Sequence, residues 1–460
     1  MSDIRKFFVP IKPKEEKEKV NKMNTIHNFS DNQMKAYELY KNNCNLFITG
    51  PGGCGKSYFI KKVYEDAIEN KKQICVTAMT GCAAILLDCN ATTINTWGSL
   101  GIGEDDYDKI IKKIRLYKKK DNWLKTEILI IDEVSMMSQY TFEMIDYIAR
   151  KLRKNEKPFG GIQVIFSGDF YQLPPVFNKL TETQQKKAFC FESPLWNETF
   201  KNYIIFNENF RQNKDKKYEN ILNEIRNNNI SIDNIEILLN CTKRNCDIQN
   251  TPTLLYPTKK MVDNYNNKEF NKLNNNEINS YRPCIYKYNN KTKKYDLLEK
   301  DTKANNTIKT KQIKYYMLDD ELKLCVGCKV MVTANINFER KLVNGTQGII
   351  IDFIDGNPLI EIDNNQRELI EPYTWKSHDE QFKIEQIPLI LSWAITIHKS
   401  QGITLDKVRV NLGSSVFEYG QSYVALSRVK SLDGLFLDSI NFQKIKTNPK
   451  VVKFYKNINE

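Results

Sequence analysis

The stretch "GPGGCGKS" at residues 50–57 has the pattern G-x-x-x-x-G-K-[ST] of a loop that wraps around phosphate groups. It follows the apolar "NLFITG" and precedes "KSYFIKKVYEDAIEN", whose apolar residues recur at helical spacing. Between a strand and a helix, backbone N–H groups and the helix dipole favour an anion. We expect Lys56 to reach the β- and γ-phosphates of a nucleotide and Ser57 to bind Mg²⁺. The predicted nucleotide-binding residues of the loop are Gly50, Pro51, Gly52, Gly53, Cys54, Gly55, Lys56 and Ser57.

A second apolar segment, "EILIIDEV" at residues 127–134, ends in the adjacent carboxylates Asp132 and Glu133. Two buried negative charges are costly unless a cation lies beside them. We therefore expect Asp132, with Ser57, to hold Mg²⁺, and Glu133 to orient and deprotonate the attacking water. The two motifs together predict hydrolysis of a nucleoside triphosphate. They leave a nucleotide kinase, a GTPase switch and a nucleic-acid motor as alternatives.

The string "GDFYQLPPV" at residues 168–176 separates these alternatives. It follows a third apolar run and offers Gln172 as an amide that can sense a γ-phosphate. Together with "IIDEVSM" at residues 130–136, it resembles the superfamily 1B DNA helicases, and more closely their Pif-type ("petite integration frequency") branch. The resemblance implies an ATP- and Mg²⁺-dependent helicase that moves 5′→3′ on single-stranded DNA and unwinds duplexes in replication, repair or recombination.

Further motifs on the nucleotide side follow in the order of that family. "FSDNQMKA" resembles the adenine-reading motif, with Gln33 placed to read the base, while "NFRQ" and "GQSYVALSRV" resemble the motifs that carry arginine fingers, Arg211 and Arg428. A motor needs such cations opposite the phosphate loop, since they stabilise the charge of the transferred phosphoryl group. The predicted catalytic residues are Lys56, Asp132, Glu133, Gln172, Arg211 and Arg428.

The run "WAITIHKSQG" at residues 393–402 begins as a strand and ends in polar side chains. It resembles the family segment that touches both DNA and the nucleotide. We expect Thr396, His398 and Lys399 to contact the phosphates of a single strand, and Gln401 and Gly402 to lie nearer the nucleotide.

In the first domain, "VTAMTGCAA" and "TINTW" resemble the family's first DNA-contacting motifs. The DNA-binding residues predicted there are Thr77, Thr80, Gly81, Asn95 and Trp97. An indole could stack on a base. Trp97 is equally suited to a hydrophobic core.

These residues must be positioned by alternating strands and helices, because short apolar strands separated by helices predict parallel sheets. By resemblance, the fold class is α/β with two RecA-like P-loop NTPase domains, a small basic wedge insertion in the first and an SH3-like all-β insertion in the second. The expected organisation is a flexible tail (1–27), a first domain (28–200) with its wedge at about 98–125, the first part of the second domain (201–262), an Asn/Lys-rich linker and SH3-like insertion (263–386), and the rest of the second domain (387–460).

The composition is compatible with this function. The chain of 460 residues has a net charge of +13, which favours a polyanionic partner such as single-stranded, forked or tailed duplex DNA, although a solvated basic surface gives the same balance. No apolar run approaches the ~18–20 residues of a membrane helix. The polar N-terminus and the scattered cysteines indicate an intracellular protein, in the nucleus or at a cytoplasmic or viral replication site.

Three weaker patterns accompany the motifs. Ile4, Phe7 and Phe8 have the spacing of a sliding-clamp-binding peptide, although Met1 stands where that motif has Gln. Wedge lysines at positions 118–120 could meet duplex phosphates or simply be solvated. Four cysteines could form a zinc site, and they are Cys241, Cys246, Cys325 and Cys328.

Two other classes of protein remain open. A RecD- or Dda-like superfamily 1B motor would share most of the motifs. A non-catalytic nucleic-acid-binding P-loop protein would have lost a catalytic group, and none of the expected ones is missing. We expect a motor that works as a monomer.

Overall fold

The computed structural model describes residues 29–459, with gaps at 88, 101–105, 117–119, 176–188, 213–214, 245–251, 274–276, 290–291, 299–302, 316–317, 335, 338–339, 341, 343–344, 363–365 and 377–381. Several predictions fall outside the described residues. They concern the tail at 1–27 with Ile4, Phe7 and Phe8, the wedge lysines Lys118 and Lys119, and Cys246.

The first domain is built on a six-stranded parallel sheet in the order β3-β2-β4-β5-β1-β6. Its strands are β1 Leu46–Thr49, β2 Ile74–Ala78, β3 Thr92–Thr93, β4 Ile128–Asp132, β5 Gln163–Ser167 and β6 Asn202–Ile205. The central strands β1, β4 and β5 are buried along their whole length, as expected for a parallel sheet covered on both faces. The predicted boundary at residue 200 is too early, because β6 pairs with β1 in this sheet.

Helices cover both faces of the first sheet. They are α1 Asp31–Lys41, α2 Lys56–Glu69, α3 Gly81–Leu86, α4 Ile94–Gly98, α5 Tyr107–Leu116, α6 Asp121–Lys125, α7 Gln139–Arg153 and α8 Pro194–Thr199. Ser30 and Ser138 cap α1 and α7, each accepting a backbone N–H with its hydroxyl. The helices α5 and α6 occupy the predicted wedge, and they bury Ile110, Ile114 and Trp123 in the core of the first domain.

The second domain has a four-stranded parallel sheet in the order β19-β7-β20-β21. Its strands are β7 Thr253–Tyr256, β19 Ala394–Thr396, β20 Val408–Leu412 and β21 Leu435–Ile440, and its helices are α9 Lys216–Arg226, α10 Ile232–Cys241, α11 Lys259–Asn271 and α13 Gln421–Leu426. The fold class is therefore confirmed as α/β with two parallel-sheet cores. Strand β19 arrives from far along the chain, so an insertion separates the two halves of this sheet.

The insertion contains three antiparallel sheets, in the orders β15-β14-β13-β12-β18, β10-β9-β17-β16 and β11-β8. Its elements are β8 Asn279–Tyr281, β9 Cys284–Asn289, β10 Lys294–Leu297, α12 Lys303–Tyr315, β11 Leu322–Leu324, β12 Lys329–Val332, β13 Gln347–Ile354, β14 Asn357–Ile362, β15 Gln366–Leu369, β16 Tyr373–Lys376, β17 Phe382–Gln386 and β18 Leu389–Leu391. The Asn/Lys-rich stretch predicted as a linker thus contributes strands and a helix of its own.

The last helix, α14 Pro449–Asn459, returns to the first domain. Its Val451 and Tyr455 are buried in the core of that domain, and Phe454 stacks on Phe191. The prediction that residues 387–460 all belong to the second domain is therefore wrong for this helix. None of the helices in the described ranges combines the length and the apolar character needed to cross a membrane.

Candidate active site

The phosphate loop lies between β1 and α2, as the sequence predicts. Gly53 and Gly55 have φ angles of 88° and 85°, in the left-handed region that favours glycine. The Lys56 ammonium donates hydrogen bonds to the carbonyl oxygens of Gly50 (2.7 Å) and Pro51 (3.0 Å). The lysine is therefore held over the loop, at the position where a bound phosphate would meet it.

Two side chains flank the loop on the side where a base would lie. The Gln33 side-chain carbonyl accepts a hydrogen bond from the Ser30 N–H (3.1 Å), whereas its buried amide nitrogen has no partner within the described part of the chain. A Cβ atom added to Gly55 would lie 2.6 Å from that nitrogen and 3.2 Å from a ring carbon of Phe210. The Gln33 donor and the half-exposed Phe210 ring thus lie side by side at the loop, an arrangement suited to hydrogen bonding and stacking with a purine.

Asp132 ends β4 next to this loop, and Glu133 follows it. Burial, together with the charge of Glu133, raises the pKa of Asp132. Glu133 has a φ of 56° and so leaves the strand direction abruptly. Gly168 lies against this turn, since a Cβ atom there would come within 2.9 Å of the Val134 nitrogen. The close approach explains why glycine begins the "GDF" string.

The residues present are compatible with Mg²⁺. The Asp132 carboxylate and the Ser57 hydroxyl are hard oxygen ligands, and the raised pKa of Asp132 reflects the cost of burying its charge. In the described part of the chain, no three or more His, Cys, Asp or Glu side chains form a metal cluster. A Mg²⁺ ion here would therefore rely on few protein oxygens, with phosphate and water completing its shell.

Arg211 and Arg428 approach the phosphate loop from the other side. A Cβ atom added to Gly52 would lie 3.5 Å from Nη1 of Arg211 and 3.8 Å from Nη2 of Arg428. Arg428 is 1% exposed, and it donates to the carbonyl oxygens of Val424 (2.8 Å) and Ser400 (3.2 Å). Burial and the neighbouring Arg211 lower the pKa of Arg428 to about 9, and burial also lowers the pKa of Arg211.

Arg211 and Arg428 bring two positive charges close to the phosphate loop. Among the described residues, neither forms a salt bridge with a carboxylate. Burying a guanidinium without a counter-ion is costly, and guanidinium groups match the geometry of phosphate. The arrangement is what a site for a highly charged anion requires.

Gln172 is buried at the junction of the two domains, and its side-chain carbonyl has no hydrogen-bond partner among the described residues. The same junction contains an ion pair between Arg226 of α9 and the fully buried Asp169, with 2.9 Å between Nη2 and Oδ1. The Arg226 guanidinium also lies 4.1 Å from the ring centre of Tyr171. The "GDFYQ" segment is thus fixed on both sides while Gln172 keeps an open acceptor.

Gln401 contacts Glu133 directly across the cleft. Its amide nitrogen donates to Glu133 Oε2 at 3.0 Å, and its own carbonyl oxygen is buried with no partner in the described ranges. Arg428 donates to Ser400 and Ile403 on either side of it. The segment that follows β19 is therefore bonded to both Glu133 and Arg428. Gly402, which adjoins Gln401, has a φ of 82°.

The residues predicted to bind DNA separate into two groups. Asn95 is exposed. Thr396 at the end of β19, His398 and Lys399 after it, and Thr80 and Gly81 at the start of α3 are half-buried. Thr77 and Trp97 are buried instead.

The buried pair has structural partners. The Thr77 hydroxyl donates to the Ile130 carbonyl (2.8 Å), and the Trp97 ring packs against Trp123 with centroids 4.5 Å apart. These positions do not allow either side chain to reach DNA, so we leave both out of the proposed DNA site.

The zinc hypothesis receives no support from the described residues. The sulfur atoms of Cys325 and Cys328 lie 3.5 Å apart in the core of the insertion, whereas Cys241 packs in the core of the second domain. Burial raises the pKa of Cys328, which opposes the thiolate form that zinc requires.

Two parallel sheets, a phosphate loop on one and two arginines from the other side define a P-loop fold with a candidate nucleotide cleft between two RecA-like cores. Residues 28–237 match the family described as PIF1-like helicase, and residues 306–353 match the 2B domain of the DNA helicase Pif1. The chain belongs to the PIF1-like helicase family.

Individual relatives agree with this assignment. The ATP-dependent DNA helicase Pif1 of Psychrobacter sp. is 31% identical over 91% of this chain and 69% of its own length, and PIF1 of Emericella nidulans is 32% identical over 90% and 61%. Among solved structures, Pif1 helicase from Candida albicans has a TM-score of 0.80 and 31% identity, covering 94% of this chain and 99% of that one. Pif1 from Bacteroides in complex with ADP-AlF3 and ssDNA has a TM-score of 0.72 and 29% identity, covering 94% and 97%. The chain spans only 54–61% of the length of the first curated relatives.

Proposed function

We propose that this protein is an ATP- and Mg²⁺-dependent DNA helicase that hydrolyses ATP in the cleft between its two parallel sheets. The observation that carries the proposal is the pair of arginines beside the phosphate loop, the buried Arg428 and the half-buried Arg211, neither of which has a carboxylate partner among the described residues. Such a pair is explained by a nucleotide whose γ-phosphate supplies the missing negative charge. Membership of the PIF1-like helicase family supports the same activity.

Each predicted catalytic residue has a role that its surroundings permit. Lys56 would exchange its carbonyl partners for phosphate oxygens, and Glu133 would accept the proton of the attacking water. Arg211 and Arg428 would stabilise the charge of the transition state, an effect of ~10³–10⁵ in rate for an arginine finger. Mg²⁺ held by Ser57 and Asp132 would neutralise charge on the β- and γ-phosphates.

The nucleotide would also be sensed at its two ends. Gln172, with its open acceptor, is suited to orient the attacking water beside the γ-phosphate. At the opposite end, the free donor of Gln33 would read the base, and Phe210 would stack on it.

DNA would reach the cleft through the segment after β19. Thr396, His398 and Lys399 lie on this segment, and Gln401 at its end donates to Glu133. A strand bound at Thr396–Lys399 could therefore change the position of the general base without touching the nucleotide. The direction of movement, 5′→3′, rests on the family resemblance. The complex of the Bacteroides relative with ssDNA supports single-stranded DNA as the ligand.

The remaining parts of the proposal are a motor that works as a monomer, forked or tailed duplexes as substrates, and an intracellular location in the nucleus or at a cytoplasmic or viral replication site.

Sliding-clamp binding through Ile4, Phe7 and Phe8 stays a prediction. Deleting residues 1–10 should abolish clamp binding and leave ATP hydrolysis unchanged, and unchanged clamp binding would contradict it.

Strand displacement on matched duplexes tests the function. The full chain, with ATP and Mg²⁺, is mixed with duplexes that differ only in carrying a 5′ or a 3′ single-stranded tail. We expect unwinding of the 5′-tailed duplex alone, and none with Lys56→Ala. Unwinding of the 3′-tailed duplex would contradict the polarity, and hydrolysis without any unwinding would contradict the helicase activity.

A further inference from the structure

The loop between β20 and α13 presents an aromatic side chain that the motif comparison does not use. Phe417 is 63% exposed, the largest exposed fraction of any aromatic residue in the described chain. Its ring lies nearly parallel to that of His398, with centroids 6.3 Å apart and 19° between the planes. Exposing a phenyl group to water is unfavourable, so a ligand for this ring would explain its position.

Hydrogen bonds to the Gln421 side chain hold the backbone at Phe417. The side-chain carbonyl of the fully buried Gln421 accepts hydrogen bonds from the backbone N–H groups of Phe417 (3.2 Å) and Glu418 (3.4 Å). The amide nitrogen of Gln421 donates to the carbonyl of Pro257, directly after β7. The backbone that carries the ring is therefore anchored to the end of β7, so less backbone freedom is lost when a ligand binds.

The position of the loop on the sheet indicates which class of ligand would contact the Phe417 ring. Strands β19 and β20 flank β7 in parallel, so the segments that carry His398 and Phe417 leave the same edge of the sheet on either side of β7. His398 and Lys399 belong to the segment predicted to bind DNA. Burial lowers the pKa of His398, so its ring is neutral at pH 7 and offers an aromatic face rather than a charge. The adjacent acid, Glu418, accepts a hydrogen bond from the Tyr419 N–H (3.1 Å).

We propose that Phe417, backed by His398, forms a stacking platform for an unpaired base of single-stranded DNA. The inference rests on the proposed function, because it concerns the strand that the motor would follow. It assigns the contact to a base rather than to a phosphate, with no preference for sequence, since every base has an aromatic face. The neighbouring Lys399 would supply the phosphate contact.

Three variants at one position separate stacking from simple apolar contact. We expect Phe417→Ala and Phe417→Leu to weaken binding of a dT oligonucleotide by about 5- to 150-fold, the range that corresponds to base stacking. Phe417→Trp should bind as well as the unaltered protein. Wild-type affinity in Phe417→Ala or in Phe417→Leu would overturn the proposal. Because the ring is exposed, thermal unfolding of all three should match that of the unaltered protein.

Salt dependence and an abasic strand test the nature of the contact. The slope of log Kd against log salt should be unchanged in Phe417→Ala and smaller by about 0.7 in Lys399→Ala, because only a lost phosphate contact changes counterion release. An oligonucleotide of abasic residues should bind the unaltered protein more weakly than dT does, whereas Phe417→Ala should bind the two strands alike. Equal discrimination by both proteins would overturn the proposal. If the unaltered protein bound no single-stranded DNA, the proposed function itself would fail.

Discussion

The nucleotide cleft and the region predicted to bind DNA differ in the burial and the hydrogen bonding of their polar residues. In the cleft, Arg428, Gln172 and Gln33 are buried and keep a charge or a hydrogen-bonding atom without a protein partner among the described residues. On the DNA side, side chains of the expected types are distributed between the surface and the core. Burying an unsatisfied polar group is costly, so several such groups gathered around the phosphate loop indicate a ligand there. The Thr77 hydroxyl, by contrast, has the Ile130 carbonyl as its partner and so indicates no ligand.

The largest effect should come from the buried cations of the cleft. Arg428→Ala is expected to lower kcat for ATP hydrolysis by ~10³-fold or more, because it removes a charge that acts in the transition state. Nucleotide affinity should change far less, which a fluorescent ATP analogue would measure. Arg367→Ala, on an exposed ion pair with Glu361, is the matched control and should have normal kcat. Normal kcat in folded Arg428→Ala would contradict the role of this arginine.

Trp97 offers the sharpest contrast with the cleft. Trp97→Ala should lower the free energy of unfolding by ~3–5 kcal/mol, since it leaves a cavity against Trp123. Chemical denaturation would measure this loss. Its exposed neighbour gives the opposite control, because Asn95→Ala should lower affinity for single-stranded DNA without changing stability. A Trp97→Phe protein of normal stability that bound DNA poorly would show that the indole contacts DNA after all.

Gln401 links the segment predicted to bind DNA to Glu133 in the nucleotide cleft, and replacing Gln401 tests this link. Gln401→Ala should lower the ATPase rate at saturating DNA by about 10-fold, the value of a hydrogen bond to a charged group. Affinity for single-stranded DNA should stay within about 2-fold, because the changed contact is with Glu133. Gln443→Ala, on an exposed turn, is the control. An equal loss of DNA affinity and rate would place Gln401 on the DNA rather than on the general base.

The smallest effect is expected at Thr77. Thr77→Val keeps the shape of the side chain and removes its hydrogen bond to Ile130, so unfolding should become easier by about 1 kcal/mol. The salt slope of DNA binding should be unchanged. A slope reduced by about 0.7 would mean that the hydroxyl contacts a phosphate.

The sequence was sufficient to predict the position of a motif where the motif and its strand lie close together in the chain. The phosphate loop, Asp132 and Glu133 follow buried strands as predicted, and both sheets are parallel. Pairings between distant segments could not be predicted locally. β6 pairs with a strand more than 150 residues earlier, and α14 packs on the first domain because Phe454 and Tyr455 find aromatic partners there.

Two aromatic residues beside the site, Phe210 and Phe417, were not predicted from the sequence. Phe210 lies in the quoted "NFRQ" string, one position before Arg211, and Phe417 lies just before "GQSYVALSRV". A phenylalanine in either place would ordinarily be assigned to a core. Only the structure reveals that both rings are exposed, next to the phosphate loop and to His398 respectively.

The central claim is that one cleft couples ATP hydrolysis to a DNA strand held after β19. The most direct test is the steady-state rate of ATP hydrolysis by the full chain, with and without single-stranded DNA. We predict a low rate alone, strong stimulation by DNA, and loss of most of that stimulation in Gln401→Ala. A rate that is the same with and without DNA would contradict the claim.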